Sequence, residues 1–298
     1  MPRAPLVMAG EGPPSTALPV TARKETWMPT VVGMTGVAMI GDGVNDLPAI
    51  KESDMGIAME DGSKITREVA DIVLLKNKFT LLPKIFQEGN KIVNTVSSVS
   101  KLFLTKNFMV IYLALFSLLF FFEFHLTPRR ISLINIFSIG LPAFVIALKN
   151  ENIEKTKYFM LDLFSFVIIS AIVIVGATYT GEFYVQNHFN YAKHELQMVM
   201  MSIMIIVTVS NFLSIVIRKK EKNISIYLFY SALILLLFIF LAVTDIDFHL
   251  INLIKRFYEI RYLNPQYWST VIMISISGSI ILFCLQKLRE IILSRIKK

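Results

Sequence analysis

From about residue 100 onward, long apolar runs alternate with short polar segments. Six runs stand out, near 101–122, 131–148, 159–180, 196–217, 224–243 and 268–286. Each approaches the roughly 20 residues that an α-helix needs to cross about 30 Å of hydrocarbon, so the pattern predicts six transmembrane helices within a membrane domain at 87–298. Residues 31–86 read differently, because their apolar runs are short and separated by turn residues. Gly36 to Ile40 predicts a buried strand, Asn45 to Ser53 a turn and helix, and Met55 to Met59 a second strand. Ser63 to Ala70 predicts a helix with Ser63 as its N-cap, and Ile72 to Leu75 a third strand. Alternating strands and helices predict a parallel sheet with crossovers. So few residues cannot enclose such a sheet, and the segment reads as part of a larger α/β domain. Residues 1–30 hold more than half of the eleven prolines and no apolar periodicity, which predicts a disordered or foreign leader. They also lack the apolar core of a secretory signal.

Composition strengthens the membrane reading. A chain of 298 residues that is 54% hydrophobic and 17% charged is too apolar for one soluble domain. The formal charge of +8 is a topology signal rather than a nucleic-acid footprint, since Lys and Arg gather between the apolar runs. They concentrate at 149–157, 218–222 and 287–298 and are sparser in the alternate segments. This asymmetry predicts a cytoplasmic N-terminal part and C-terminus in a multi-pass protein of the plasma membrane. Aromatic residues near Tyr179 to Tyr184 and Tyr262 to Trp268 suit an interfacial belt. The single cysteine, Cys284, excludes a disulfide framework and a Cys-based metal site. The four histidines, His125, His188, His194 and His249, are scattered through predicted loops and read as solvated.

The chemistry concentrates in Gly41-Asp42-Gly43-Val44-Asn45-Asp46. A strand that ends in Gly-Asp-Gly sets the first carboxylate at the C-terminal edge of a parallel sheet, where open α/β folds bind ligands. Gly41 and Gly43 permit a tight turn and a close backbone approach to phosphate. Asp42 and Asp46 can share Mg2+, a hard cation that takes oxygen ligands, and Asn45 can donate its amide to a phosphoryl oxygen. Paired carboxylates at this edge suit phosphoryl transfer.

A second constellation lies in the predicted spans. Lys101, Lys106 and Asn107 interrupt the first apolar run. In the second, Asn135 and Ser138 are set one turn apart just before Gly140 and Pro142. Proline removes a backbone donor and frees a carbonyl, and within a membrane such groups persist where they line a cavity or bind an ion. The alternative is that Asn107, Asn135 and Ser138 only hydrogen-bond between helices. Lys106 either acts as a built-in counter-ion or snorkels to the boundary. Asp162, Thr208, Ser210 and Asn211 could extend the path but read rather as boundary and packing residues, and Ser275 to Ser279 as a small-residue packing face.

The strings GDGVNDLPAIK, DMGIAM and EVADIVLL resemble the end of the haloacid-dehalogenase-like phosphorylation domain of P-type cation ATPases, and the remainder resembles the last six membrane helices of that family. The look of the two ion-path helices is nearest to bacterial cation pumps. The resemblance implies that Asp42 binds catalytic magnesium, that Asn45 contacts the phosphoryl group and that Asp46 supports both. It gives Lys24 a phosphate contact, and makes Asn107, Asn135, Ser138 and Pro142 parts of a cation path. It implies coupling of ATP hydrolysis, through an aspartyl-phosphate, to cation transport, with ATP bound mainly by a domain this chain lacks.

Two departures bear on that expectation. The family's nucleophile lies in Asp-Lys-Thr-Gly, and no such string occurs here; covalent transfer needs a nucleophile. The actuator and nucleotide-binding segments of the family are likewise absent. The chain alone is therefore expected not to hydrolyse ATP, and to act with a separate N-terminal pump half. The other reading is a non-catalytic remnant or partner-binding membrane protein. In the ion path, Ile139 and Val110 stand where calcium and sodium pumps of the family carry acids, which counts against a tight divalent site of the animal kind.

Overall fold

The structure, a computed structural model, describes residues 37–120, 127–149, 159–218, 224–243 and 249–296. Its contacts divide the chain into two compact units that meet at Asn90 and Lys91.

The first unit is a small α/β layer. Strands β1 (Ala38–Gly41), β2 (Met55–Met59) and β3 (Ile72–Leu74) form a parallel sheet in the order β1-β2-β3. Ala38 pairs with Met55 and Ile57 with Ile72. Helix α1 (Leu47–Glu52) connects β1 to β2 and α2 (Lys64–Val69) connects β2 to β3. Ser63 caps α2, its hydroxyl accepting the Thr66 N–H at 3.1 Å, and thereby satisfies a donor the first turn leaves open. Ile57, Met59 and Leu74 are buried beneath the sheet with Ile40, Ile72, Leu82 and Ile85 packed against them. Ile57 and Ala58 of the central strand are enclosed, as an apolar run in a parallel sheet requires.

The second unit is an all-helical bundle. Six helices are long and apolar enough to span a membrane. They are α3 (Leu82–Phe120), a broken span made of α4 (Pro128–Asn135), a π-helical turn (Ile136–Gly140) and α5 (Leu141–Lys149), then α6 (Phe159–His188), α7 (Lys193–Arg218), α8 (Ile224–Val243) and α10 (Pro265–Ile296). Helix α3 begins well before the apolar run near 101, because its first turns are amphipathic rather than apolar. The chain is thus a multi-pass membrane protein, α-helical, with a partial α/β segment ahead of its spans.

Helix α7 is the hub of the bundle. In its most apolar stretch 78% of the residues are buried, against 44% or less in the other spans. Close approach is built from small residues: a Cβ at Gly278 of α10 would meet the Ala177 Cβ at 3.1 Å and Val207 at 3.5 Å. Polar side chains tie the same helices together, with Ser279 donating to Ser210 at 2.8 Å and Ser170 to Asn211 at 2.8 Å. Small-residue packing and interhelical hydrogen bonds replace the hydrophobic driving force that lipid does not provide.

One end of the bundle is closed by a charged cluster. Asp162, in the first turn of α6, pairs with Lys101 of α3 at 2.5 Å and with Arg289 of α10 at 3.0 Å. Arg289 also donates to Ser165 at 3.0 Å. Arg218 of α7 donates to Gln286 at 3.1 Å and lies 3.4 Å from Glu290. All three cations lie within 6 Å of the Phe166 ring centroid, where the negative face of the ring attracts them. Asp162 is therefore an ion-paired tie between helices, not the solvated boundary residue its position in the sequence suggested.

Between α8 and α10 the sequence pattern showed only a loop, but the structure forms helix α9 (His249–Tyr258). It ends in a Schellman motif, in which the Ile260 N–H donates to Lys255 C=O at 2.9 Å and the Glu259 N–H to Arg256 C=O at 3.4 Å. The left-handed residue of that motif is Glu259, at φ 57°. Glycine usually fills this place, and a non-glycine residue there costs on the order of 1 kcal/mol. The carboxylate offsets this by accepting from Thr127 at 3.1 Å and pairing with Arg130 at 3.7 Å, across to the start of α4.

Candidate functional site

The loop after β1 holds the sequence-predicted site. Gly41 ends the strand at the C-terminal edge of the sheet, and Val44 to Asp46 form a single 3₁₀ turn that leads into α1. The Asp46 carboxylate turns back on the loop. Its Oδ2 accepts the N–H of Asp42 at 3.2 Å and of Gly43 at 3.2 Å. A second clasp comes from the β2–α2 connection: Ser63 N–H donates to Asp42 C=O at 2.8 Å and Thr66 Oγ1 to Gly43 C=O at 2.9 Å. Thr66 is fully buried, which shields its half of this clasp. It leaves the side chains of Asp42 and Asn45 exposed at the sheet edge.

The two carboxylates consequently have different parts. Asp46 shapes the loop, while Asp42 projects free of the backbone bonds that hold it. Asp42, with hard oxygen donors at the open edge of the sheet, suits Mg2+; one Asp46 oxygen is already committed to two amides, which suits a supporting position better than a second direct ligand. Among the described residues no group of three or more His, Cys, Asp or Glu side chains converges as a complete metal cage. Magnesium sites built with one or two carboxylates and several waters do not need one. Lys24 lies outside the described residues.

Gly41 is required by the close approach of Asp46. A Cβ added at Gly41 would fall on the Asp46 side chain, within 2.6 Å of Oδ2. Gly41→Ala is expected to push that carboxylate off both loop amides at a cost of about 1–3 kcal/mol to the α/β unit. Faster hydrogen exchange at Asp42 and Gly43 would register the change, and unaltered protection of those amides would refute it.

The membrane constellation is partly assembled. The span containing Asn135 and Ser138 breaks into a π-turn over Ile136–Gly140, which ends two residues before Pro142. Proline supplies no N–H to the preceding turn and crowds its carbonyl, and a single π-turn within a helix is often a functional feature. Among the described residues the buried Asn135 Oδ1 has no hydrogen-bond partner. Ser138 is buried and its Oγ lies 2.6 Å from Thr208 Oγ1 of α7. Thr208 bonds back to the Met204 C=O at 2.7 Å, which uses its one proton. Ser138 therefore donates to Thr208, leaving its own lone pairs for another donor or a cation. Ile139 is buried as well, so the place of the family's acid is filled by hydrocarbon.

Asn107 is exposed, in a stripe of α3 with Phe103, Ile111 and Leu115, and Lys106 is half-buried beside it. From the sequence Thr208 reads as a boundary or packing residue that could also extend the path, and its pairing with Ser138 depends on the approach of α7. Glu182 escaped that reading altogether. It is 1% exposed in α6 and accepts from Gln186 at 3.2 Å; a carboxylate just past the end of the 159–180 apolar run was the available signal.

A model of the haloacid dehalogenase-like hydrolase family matches residues 31–80, the stretch that carries the sheet and the Asp42 loop. The fold and the loop thus define a multi-pass membrane protein with a haloacid dehalogenase-like segment ahead of its spans. Over 159 residues the chain is 37% identical to "Calcium-transporting ATPase CtpE" of Mycolicibacterium smegmatis, covering 49% of this chain and 20% of that protein. It is 32% identical over 146 residues to "Probable cation-transporting ATPase exp7" of Streptococcus pneumoniae, covering 46% and 19%. To a "Calcium-transporting ATPase" of Bacillus subtilis it is 32% identical over 122 residues, covering 41% and 14%. The chain spans about a fifth or less of the length of these curated relatives. It is similar to the C-terminal portion of P-type cation-transporting ATPases.

Proposed function

We propose that this chain supplies the magnesium-binding loop and half of the cation path of an ATP-driven cation pump, working with a polypeptide segment that carries the phosphorylated aspartate. Asp42 holds magnesium at the sheet edge, Asp46 keeps the loop in shape and Asn45 orients a phosphoryl oxygen. Magnesium bound there would neutralise charge on the transferring phosphoryl group. The soluble unit and C-terminus lie in the cytoplasm, in accord with the distribution of Lys and Arg. The exposed stripe around Asn107 is a surface against which further pump helices can pack.

The observation that carries the cation-path reading is the Asn135 side-chain carbonyl, buried without a partner among the described residues at the head of a π-turn. A structural amide in hydrocarbon would find a donor, since leaving it unpaired costs about 1–3 kcal/mol. A carbonyl kept bare beside Ser138 suits a cation that comes and goes. The names of the relatives point to calcium, but with Ile139 between the polar positions the neutral oxygens here favour weak binding.

Asn135→Leu tests this directly. Cation binding by the purified chain, measured with radioactive calcium and rubidium, is expected to fall at least tenfold while thermal stability holds or rises. Unchanged binding, or a lower melting temperature with no change in binding, would assign Asn135 to helix packing. A second reading is a membrane protein without pump activity; it prevails if no N-terminal pump half restores ATP hydrolysis.

A further inference from the structure

Helix α9 takes no part in the phosphoryl or cation chemistry, and its surface has two chemically opposed faces. Leu250, Leu253 and Phe257 recur at spacings of three and four residues and are 56%, 58% and 56% exposed. Large apolar side chains lined along one face require an apolar neighbour. On the other side Asn252, Lys255, Arg256 and Glu259, with Ile260 and Arg261, line a recess of about 400 Å³. Lys255 is only 9% exposed there. From α4, Arg129 lies 3.9 Å and Arg130 3.7 Å from the Glu259 carboxylate. Among the described residues, Glu259 is the sole acid lining a recess that is otherwise strongly basic.

We propose that α9 lies in the membrane interface with Leu250, Leu253 and Phe257 among the acyl chains, and that the recess holds the headgroup phosphate of an anionic phospholipid. The back-to-back arrangement matches the two chemical halves of such a lipid. Helix α9 follows one spanning helix and precedes another, which places it at the membrane surface. Both neighbouring spans expose apolar side chains, among them Leu236 of α8 and Ile272 of α10. An amphipathic helix with basic residues on its polar side binds in that plane, and more strongly where the lipid is anionic. A soluble phosphate would account for the recess but not for the apolar stripe. The strained Glu259 fits the same device, since its carboxylate lines the recess and is held by Arg130 and Thr127 instead of giving way to glycine.

The full chain in nanodiscs provides the test. In a Cys284→Ser background, a nitroxide on Leu253→Cys is expected to collide more with dissolved oxygen than with a water-soluble nickel chelate, and one on Arg256→Cys the reverse. A label at 253 that meets the chelate more would overturn the interfacial placement. One shielded from both would show a protein on this face instead. For the headgroup, native mass spectrometry with phosphatidylglycerol and phosphatidylcholine is expected to show preferential retention of phosphatidylglycerol. Arg256→Gln with Arg261→Gln, both at exposed side chains, is expected to weaken that retention roughly tenfold and to leave phosphatidylcholine unchanged. Equal retention of the two lipids, or displacement of phosphatidylglycerol by inorganic phosphate alone, would refute the lipid site. Neither readout involves ATP or cations, so the outcome is separate from that of the pump reading.

Discussion

Asp162→Asn is expected to destabilise the helical bundle by about 3–5 kcal/mol, the range typical of removing one partner from a buried ion pair. Among the described residues, Asp162 is the only carboxylate in contact with both Lys101 and Arg289, which are 8% and 5% exposed. Asparagine keeps the size and one acceptor oxygen but removes the charge. Two buried cations then remain near a third, Arg218, around the Phe166 ring, and their mutual repulsion is no longer offset. Glu290 cannot take over, because it faces Arg218 and its side chain is 53% exposed. Thermal unfolding in detergent, followed by trypsin sensitivity between α3 and α6, measures the loss. A melting temperature equal to that of the unaltered chain would mean that the cluster is solvated in the folded protein. Pairing Asp162→Asn with Lys101→Met should recover part of the loss, since the two changes remove interacting charges.

Asp42→Asn is expected to lower magnesium-dependent phosphoenzyme formation by about 10²–10³-fold or more once the chain is combined with a pump half that carries the nucleophile. The geometry separates this residue from its neighbour. Asp42 makes its loop bonds through the backbone N–H and C=O, so the substitution leaves the loop in place and removes only metal-binding charge. Asp46→Ala should instead release the Asp42 and Gly43 amides and loosen the loop. Binding of Mn2+ to the chain alone, read by electron paramagnetic resonance, gives a check that needs no catalysis. It should be lost in Asp42→Asn while hydrogen exchange at Gly43 stays slow. Retention of Mn2+ binding would remove Asp42 from the magnesium site.

Much of the architecture was legible in the residues. The spans showed because hydrocarbon demands about twenty apolar residues in a row whatever lies around them. The strand Met55–Met59 and the Ser63 cap showed because a parallel strand is apolar throughout and a cap is local chemistry. The Gly-Asp-Gly loop showed through its glycines, although its division of labour did not. That Asp46 binds backbone while Asp42 remains free depends on how the 3₁₀ turn folds back. Helix α9 was missed because ten amphipathic residues lie below the length of a span and carry three basic or histidine side chains, His249, Lys255 and Arg256.

The sequence by itself determined the two-part plan, the six crossings, the sheet with its carboxylate loop and the family likeness, since these rest on periodicity, composition and contiguous motifs. Only the tertiary structure decided which polar residues meet. Ser138 finds Thr208, Lys101 finds Asp162 and Arg289, and Glu259 finds Arg130, each across separate helices. Such pairs are far apart in the chain and become neighbours only when small residues such as Gly278 let the helices close. In a low-dielectric interior a charge or hydroxyl must then be paired, and which partner it takes is set by packing.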